Sequence, residues 1–213
     1  MQLLTVDAFT AEPFRGNPAG VCFLDGARPD AWMQRVAAEM NLSNTAFVLR
    51  EGDAFRLRWF TPTTEVPLCG HATLASAHAL WSTGRLGADQ ETRFDTKSGR
   101  LTARRVGTRI QMDFPSIPVA PASLPPGAAI ALGAKPVALA NTVEAEQHNY
   151  ILELESEAAV RGLAPYWSQK LGKTSLVGHQ VSTRGGVVHV ALNGDRVLLS
   201  GDAVTVLKGE LAV

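Results

Sequence analysis

Residues 66–81 read VPLCGHATLASAHALW, and the fold is decided by what this stretch becomes. From Ala72 onward it is rich in Ala and Leu, and Leu74, Ala77, His78 and Trp81 share one face at helical spacing. Pro67 blocks any helix from running backwards, so the spacing predicts a helix that starts near Gly70 and ends at Gly84. Cys69, Gly70 and His71 then surround the first turn, where unpaired backbone N–H groups and the helix dipole favour negative charge. A thiol placed there is expected to ionise more readily than a free one. Leu74, Ala77 and Trp81 are expected to be buried.

Outward from this helix the chain punctuates itself clearly. LLTVDAF (3–9) and GVCFL (20–24) read as strands on either side of a turn-rich RGNPA, and PDAWMQRVAAEMN (29–41) reads as a helix. TAFVLR (45–50) and AFRLRWF (54–60) flank a Glu-Gly-Asp turn, a hairpin signal. ETRFDT, LTARRV and RIQMDF follow as a strand series broken by Gly99 and Gly107. Residues 115–127, PSIPVAPASLPPG, hold five prolines in 13 residues and predict an extended linker at the best candidate boundary. Beyond it, VALANTV and YILELES read as strands, and residues 157–172 read as a helix interrupted at Gly162 and Pro165. The C-terminal segments QVSTRGG, VVHVALNG, RVLLSG and AVTVLKG predict an antiparallel meander.

The 213 residues suffice for one large domain or two small lobes. Twenty basic side chains balance 20 acidic ones, which gives no electrostatic reason to expect nucleic acid or an anionic membrane as partner. The basic run at 99–109 reads as the solvated face of a strand pair. No apolar run of about 18 residues predicts a membrane span, and MQLLTVDAF lacks the basic region of a secretory signal. Cys22 and Cys69 are too few and too isolated for a zinc site or a disulfide framework. A cytoplasmic protein without metal or cofactor is the expectation.

The two halves also show a weak self-similarity. Trp81 and Trp167 lie 86 apart, each followed by Ser and then by Leu-Gly, and Arg109 and Arg196 open comparable strands at an offset of 87. At the offset of 86, Cys69-Gly70-His71 faces Glu155-Ser156-Glu157. Two lobes that each wrap a sheet around a helix would produce the pattern, as would chance likeness between two Gly-turned meanders. If the lobes are real, two helix starts facing each other make a natural small-molecule site. Glu155 and Glu157 would place negative charge at the second start, leaving an anion to the first.

DAFT (7–10), RGNPAGV (15–21), AAEMNLSNTAFVL (37–49), LRWFTPTTEVPLCGHATLASAHAL (57–80) and RVLLSGDAVTVLKGEL (196–211) together resemble the PhzF-like family of phenazine biosynthesis. That family groups with diaminopimelate epimerase and proline racemase. The resemblance implies an α+β fold of the diaminopimelate epimerase type, two β-rich lobes each around a central helix. Residues 1–115 would form the first lobe, with its helix near 71–84. Residues 116–213 would form a reduced second lobe whose terminal strands can be shared with the first. It implies an isomerase or epimerase that moves a proton on a small carboxylate substrate between the lobes. Carried onto this chain, Asn44, Cys69 and His71 fall at catalytic positions, Cys69 where the epimerase and racemase relatives carry a thiol. Asn17, Ser43, Gly70, His71 and Ala72 fall at substrate-binding positions.

The chain departs from the family pattern twice. The family's acid/base Glu is replaced by Asn44, whose amide cannot take a proton from carbon but can hold a ligand. A DPVTGSAH-like segment expected ahead of APYW (164–167) is missing, so weakened or altered chemistry is expected. The alternative is a non-catalytic relative that binds a small ligand or serves in assembly. Lost strands would leave open sheet edges, for which a homodimer is the expected remedy. Asp7 and Glu39 lie near the matched motifs, but as substitute bases they have no support over ordinary ion pairing. His78 reads as a core or half-buried residue, and His148, His179 and His189 have no evident partner.

Overall fold

The computed structural model describes residues 1–126, 136–142, 149–156, 175–180 and 182–212. In chain order the elements are β1 (Gln2–Ala8), β2 (Asn17–Leu24), α1 (Asp30–Met40), β3 (Asn44–Glu51), β4 (Ala54–Phe60), β5 (Glu65–Val66), α2 (Gly70–Ser82) and β6 (Thr92–Thr96). They continue with β7 (Gly99–Val106), β8 (Arg109–Pro115), β9 (Val119–Pro121), β10 (Ala138–Thr142), β11 (Tyr150–Glu153), β12 (Ser175–His179), β13 (Val187–Asn193), β14 (Arg196–Gly201) and β15 (Ala203–Glu210). Strands dominate over helices, giving an α+β fold.

One sheet carries most of the molecule, in the order β12-β13-β14-β8-β7-β6-β4-β3-β2-β1-β15, with the short β5 added to β4. Its pairs are antiparallel except β2–β3 and β4–β6. Only Asp202 separates β14 from β15 in the chain, yet seven strands lie between them along the sheet. The sheet therefore curls until its β15 end approaches β14, and α2 fills the bore, touching β1, β2, β3, β15, β7 and β8. The seam is tight at Gly201, where a Cβ would come within 2.5 Å of the Phe9 ring.

An enclosed helix must be apolar on every side. Leu74, Ala77 and Trp81 are buried, and so are Ala72, Thr73, Ala75, Ser76, Ala79 and Leu80. Alanine keeps the helix slim enough for the strands to close round it. The hydroxyls of Thr73 and Ser76 donate to the carbonyls of Cys69 and Ala72, at 2.5 and 2.7 Å, so burying them strands no donor. Trp81 donates its Nε1–H to the Gln90 carbonyl at 3.0 Å. His78 is half-buried, with Nε2 3.1 Å from Thr205 Oγ1 on β15.

The outer face of the sheet is covered by α1. The period of two divides β3 between two cores: Ala46 and Val48 pack toward α2, while Phe47 joins Met33, Val36 and Ala37 of α1. Asn41 ends α1 in the left-handed conformation at φ 50°.

Three sequence expectations change. The C-terminal segments do not form a simple meander, because β15 pairs with β1 rather than with β14. Residues 182–186 of QVSTRGG lie outside any strand, with Gly185 and Gly186 both at positive φ, and the strand lies earlier, at Ser175–His179. The proline-rich 115–127 is not wholly linker, since β9 within it pairs with β10, which pairs in turn with β11. The helix expected at 157–172, with Glu157 and Trp167, lies outside the described residues, as does His148. No helix among the described residues is long and apolar enough to cross a membrane.

Candidate active site

Parallel strands start on the same edge of a sheet, and this brings the candidate residues together. The β2–β3 pairing sets Ala19 beside Asn44, so the openings of both strands, Asn17 and Asn44, share one edge. The start of α2 opens toward the same edge, because Ser43, immediately before β3, meets His71 in its first turn. Gly16, at φ 63°, makes the approach to Asn17 possible. A Cβ there would collide with the Ala8 carbonyl.

His71 sits at the centre. Its Nε2 is 3.1 Å from Ser43 Oγ, and its Nδ1 is 3.5 Å from Cys69 Sγ. Ser43 Oγ also lies 3.4 Å from Asn17 Oδ1 and 3.4 Å from the Pro18 carbonyl. Cys69 is the N-cap residue of α2, in extended conformation, and makes no side-chain capping bond. Its carbonyl accepts from the Thr73 N–H, so the N–H groups of Gly70, His71 and Ala72 precede the helical ladder. Gly70 packs against β14, where a Cβ would lie 3.7 Å from Leu199. The methyl of Ala72 is buried, so only its backbone can serve a ligand.

The electrostatics differ from the sequence expectation. Burial pushes the Cys69 thiol up to about 12, against the opposing pull of the nearby Ala72 and His71 N–H groups. Helix position alone predicted an easily ionised thiol; desolvation wins because the residue is buried in the core around α2. Cys22 is likewise raised, to about 11, chiefly by burial. Burial also pushes the His71 imidazole down to about 4, so His71 is neutral at physiological pH.

Asn44 is buried at the head of β3, and no hydrogen bond holds its side chain among the described residues. Asp7 is equally buried but fully engaged: Oδ1 accepts from Arg184 Nη2 at 2.6 Å and Oδ2 from the Phe14 N–H at 2.7 Å. Glu39 lies exposed in the last turn of α1. His179 is exposed on β12 and His189 half-buried on β13. Among the described residues no three His, Cys, Asp or Glu side chains group as a metal site. The two shallow recesses, one lined by Phe23, Arg50, Phe55 and Arg85 and the other by Met33, Phe47 and Arg58, include none of the candidate residues.

Sequence reasoning missed the link between Ser43 and His71, 28 residues apart. Only the family pattern placed both in one site. It also missed Arg184, which besides Asp7 binds the carbonyls of Arg15 and Gly16 and so fixes the turn that presents Asn17.

Comparison with known proteins places this arrangement in context. An uncharacterized isomerase of Halalkalibacterium halodurans is 39% identical, over 98% of this chain and 97% of the relative. One from Pseudomonas aeruginosa is 36% identical, over 97% of this chain and 96% of the relative. The first alignment runs 262 positions against a chain of 213, so at least 49 positions find no residue here although both ends are covered. The shortening is internal. Among solved structures, a PhzF family phenazine biosynthesis protein from Enterococcus faecalis superposes with a TM-score of 0.78 at 30% identity, over 100% of this chain and 99% of that one. A probable proline racemase from Agrobacterium radiobacter shares the fold at a TM-score of 0.62 and 11% identity, covering 100% of this chain and 93% of its own. The family model described as phenazine biosynthesis-like protein matches residues 6–174, and the chain belongs to that PhzC-PhzF family, with the diaminopimelate epimerase-like fold.

Proposed function

We propose that the edge formed by Asn17, Ser43, Asn44 and the first turn of α2 binds a small carboxylate, in a PhzF-like isomerase whose proton-transfer chemistry is weakened. The observation that carries the reading is the composition of this edge. It offers first-turn N–H groups, amides, a hydroxyl and a neutral imidazole, and an amide at the position where the family carries its base. Backbone N–H groups at a helix start suit a carboxylate. Asn44 can hold the ligand but cannot remove its proton, and losing a general base costs about a hundredfold or more in rate.

The test is solvent deuterium incorporation into a panel of amino and hydroxy acids, with carboxylate binding followed separately by calorimetry. The protein is expected to bind a carboxylate and to exchange protons weakly or not at all, and Asn44→Glu is expected to raise exchange strongly. Fast exchange by the unaltered protein, abolished by Cys69→Ala, would replace this reading with a thiol route. Absence of carboxylate binding would end it.

The second reading, a non-catalytic relative for ligand binding or assembly, is favoured by Asn44 together with the internal shortening. It predicts ligand binding with no exchange even in Asn44→Glu. In either case we infer a homodimer that covers the shortened lobe, and light scattering showing a stable monomer at high concentration would contradict it.

A further inference from the structure

We propose that Ser43 is a positioning residue: it holds His71 as the Nε2–H tautomer and thereby turns the Nδ1 lone pair toward Cys69. The relevance of this rests on the active-site reading above; its geometry does not depend on any ligand.

A serine hydroxyl carries one proton and two acceptor lone pairs. Around Ser43 Oγ lie the Pro18 carbonyl at 3.4 Å, Asn17 Oδ1 at 3.4 Å and His71 Nε2 at 3.1 Å. The Pro18 oxygen is a main-chain acceptor that no side-chain flip can convert into a donor. If the hydroxyl proton pointed at His71, Oγ would face two carbonyl oxygens lone pair to lone pair. If it points at either carbonyl, Oγ presents a lone pair to the ring, and Nε2 must carry the proton. The first arrangement leaves both oxygens without a donor and the second leaves only one, which the Asn17 amide supplies when its NH2 is turned to face Oγ. A neutral imidazole has one N–H, so Nδ1 is then bare and, at 3.5 Å, accepts the Cys69 S–H.

The proton order thus runs one way, from Cys69 sulfur to Nδ1 and from Nε2 to Ser43 to a carbonyl. Burial of both groups favours their neutral forms. Transfer of the thiol proton would break the S–H bond, form a bond at Nδ1 and leave thiolate beside imidazolium. Nε2–H would keep its Ser43 acceptor throughout, so no side chain has to turn. With the opposite tautomer, Nδ1 would already be protonated and this transfer blocked.

The experiment is NMR of protein labelled with ¹⁵N-histidine, with the His71 signals identified by their loss in His71→Gln. The unaltered protein is expected to show a protonated Nε2 and a bare Nδ1. Ser43→Ala removes the acceptor and should shift the tautomer ratio toward Nδ1–H by about fivefold, the worth of one hydrogen bond. Ser43→Thr, which keeps the hydroxyl, should restore it. An Nδ1–H tautomer in the unaltered protein, or a ratio unmoved by Ser43→Ala, would overturn the proposal. Failure of carboxylates to bind would end the site reading while leaving this readout intact.

Discussion

Asp7 and Arg184, 177 positions apart, meet at 2.6 Å, the carboxylate 1% exposed and the arginine side chain 37% exposed. The same guanidinium holds the Arg15 and Gly16 carbonyls, and the Phe14 N–H closes on the other Asp7 oxygen. This clasp ties the turn before Asn17 to the turn before β13. Arg184→Ala leaves a buried carboxylate with a single backbone donor. The expected loss is about 2 kcal/mol in urea unfolding, below the ~3–5 of a fully buried pair because Arg184 is partly solvated. A loss within a few tenths would mean that the clasp is ornamental.

His71 makes acid stability measurable. Its ordinary value is 6.5 and the fold holds it near 4, so between those values the unfolded chain binds more protons than the folded one. Its contribution is complete above pH 6.5 and drains as pH falls through 4. Half-buried His78, lowered by burial and by the Arg105 charge, acts in the same direction. Glu65 is lowered first by its hydrogen bond to Arg58, so its contribution is complete above its ordinary 4.5 and lost below. His71→Gln should therefore flatten unfolding free energy between pH 6.5 and 4.5, measured by denaturant titration. An unchanged slope would contradict the burial of this imidazole.

Thr45 is fully buried beside Gly20, and its Oγ1 has no hydrogen-bond partner among the described residues. An unpaired buried hydroxyl costs more than it gives, and replacing it with a methyl of the same shape removes that cost. Thr45→Val should be neutral or stabilising by about 1 kcal/mol in thermal unfolding. A loss of similar size would reveal a partner for the hydroxyl.

Leu74 is fully buried on a helix packed by strands all round. A cavity there can collapse little, so Leu74→Ala should cost about 3 kcal/mol or more in unfolding. A cost under about 1 kcal/mol would show that the sheet closes in freely.

The helix α2 was legible because Pro67 and Gly84 bracket an Ala- and Leu-rich run, and backbone constraints act locally. Alternation marked β13, β14 and β15 as strands, but a period of two says nothing of partners. Nothing local tells β15 to leave β14 and pair with β1. Proline spacing suggested a linker at 115–127, while β9 forms because Val119, Ala120 and Pro121 find a tertiary partner in β10. At the site, helix position correctly placed Cys69 at a first turn. Its acidity depended on its burial in the folded chain, a fact of depth that no spacing carries. The Ser43–His71 contact and the role of Arg184 were invisible to local spacing for the same reason: they lie in contacts across 28 and 177 positions.

The pairing of β1 with β15 also sets the order of events at birth. Gln2 to Ala8 leave the ribosome long before their outer partners, Glu210 back to Ala203. Until β15 emerges the nascent chain carries β1 with one open edge, and the side of α2 that faces β15 stays uncovered. Closing a loop of about 200 residues, from Gln2 to Glu210, is the slow kind of step. A chain that stops before Ala203 would have its helix enclosed on every side but one and its wall unfinished, the state a chaperone or protease would meet.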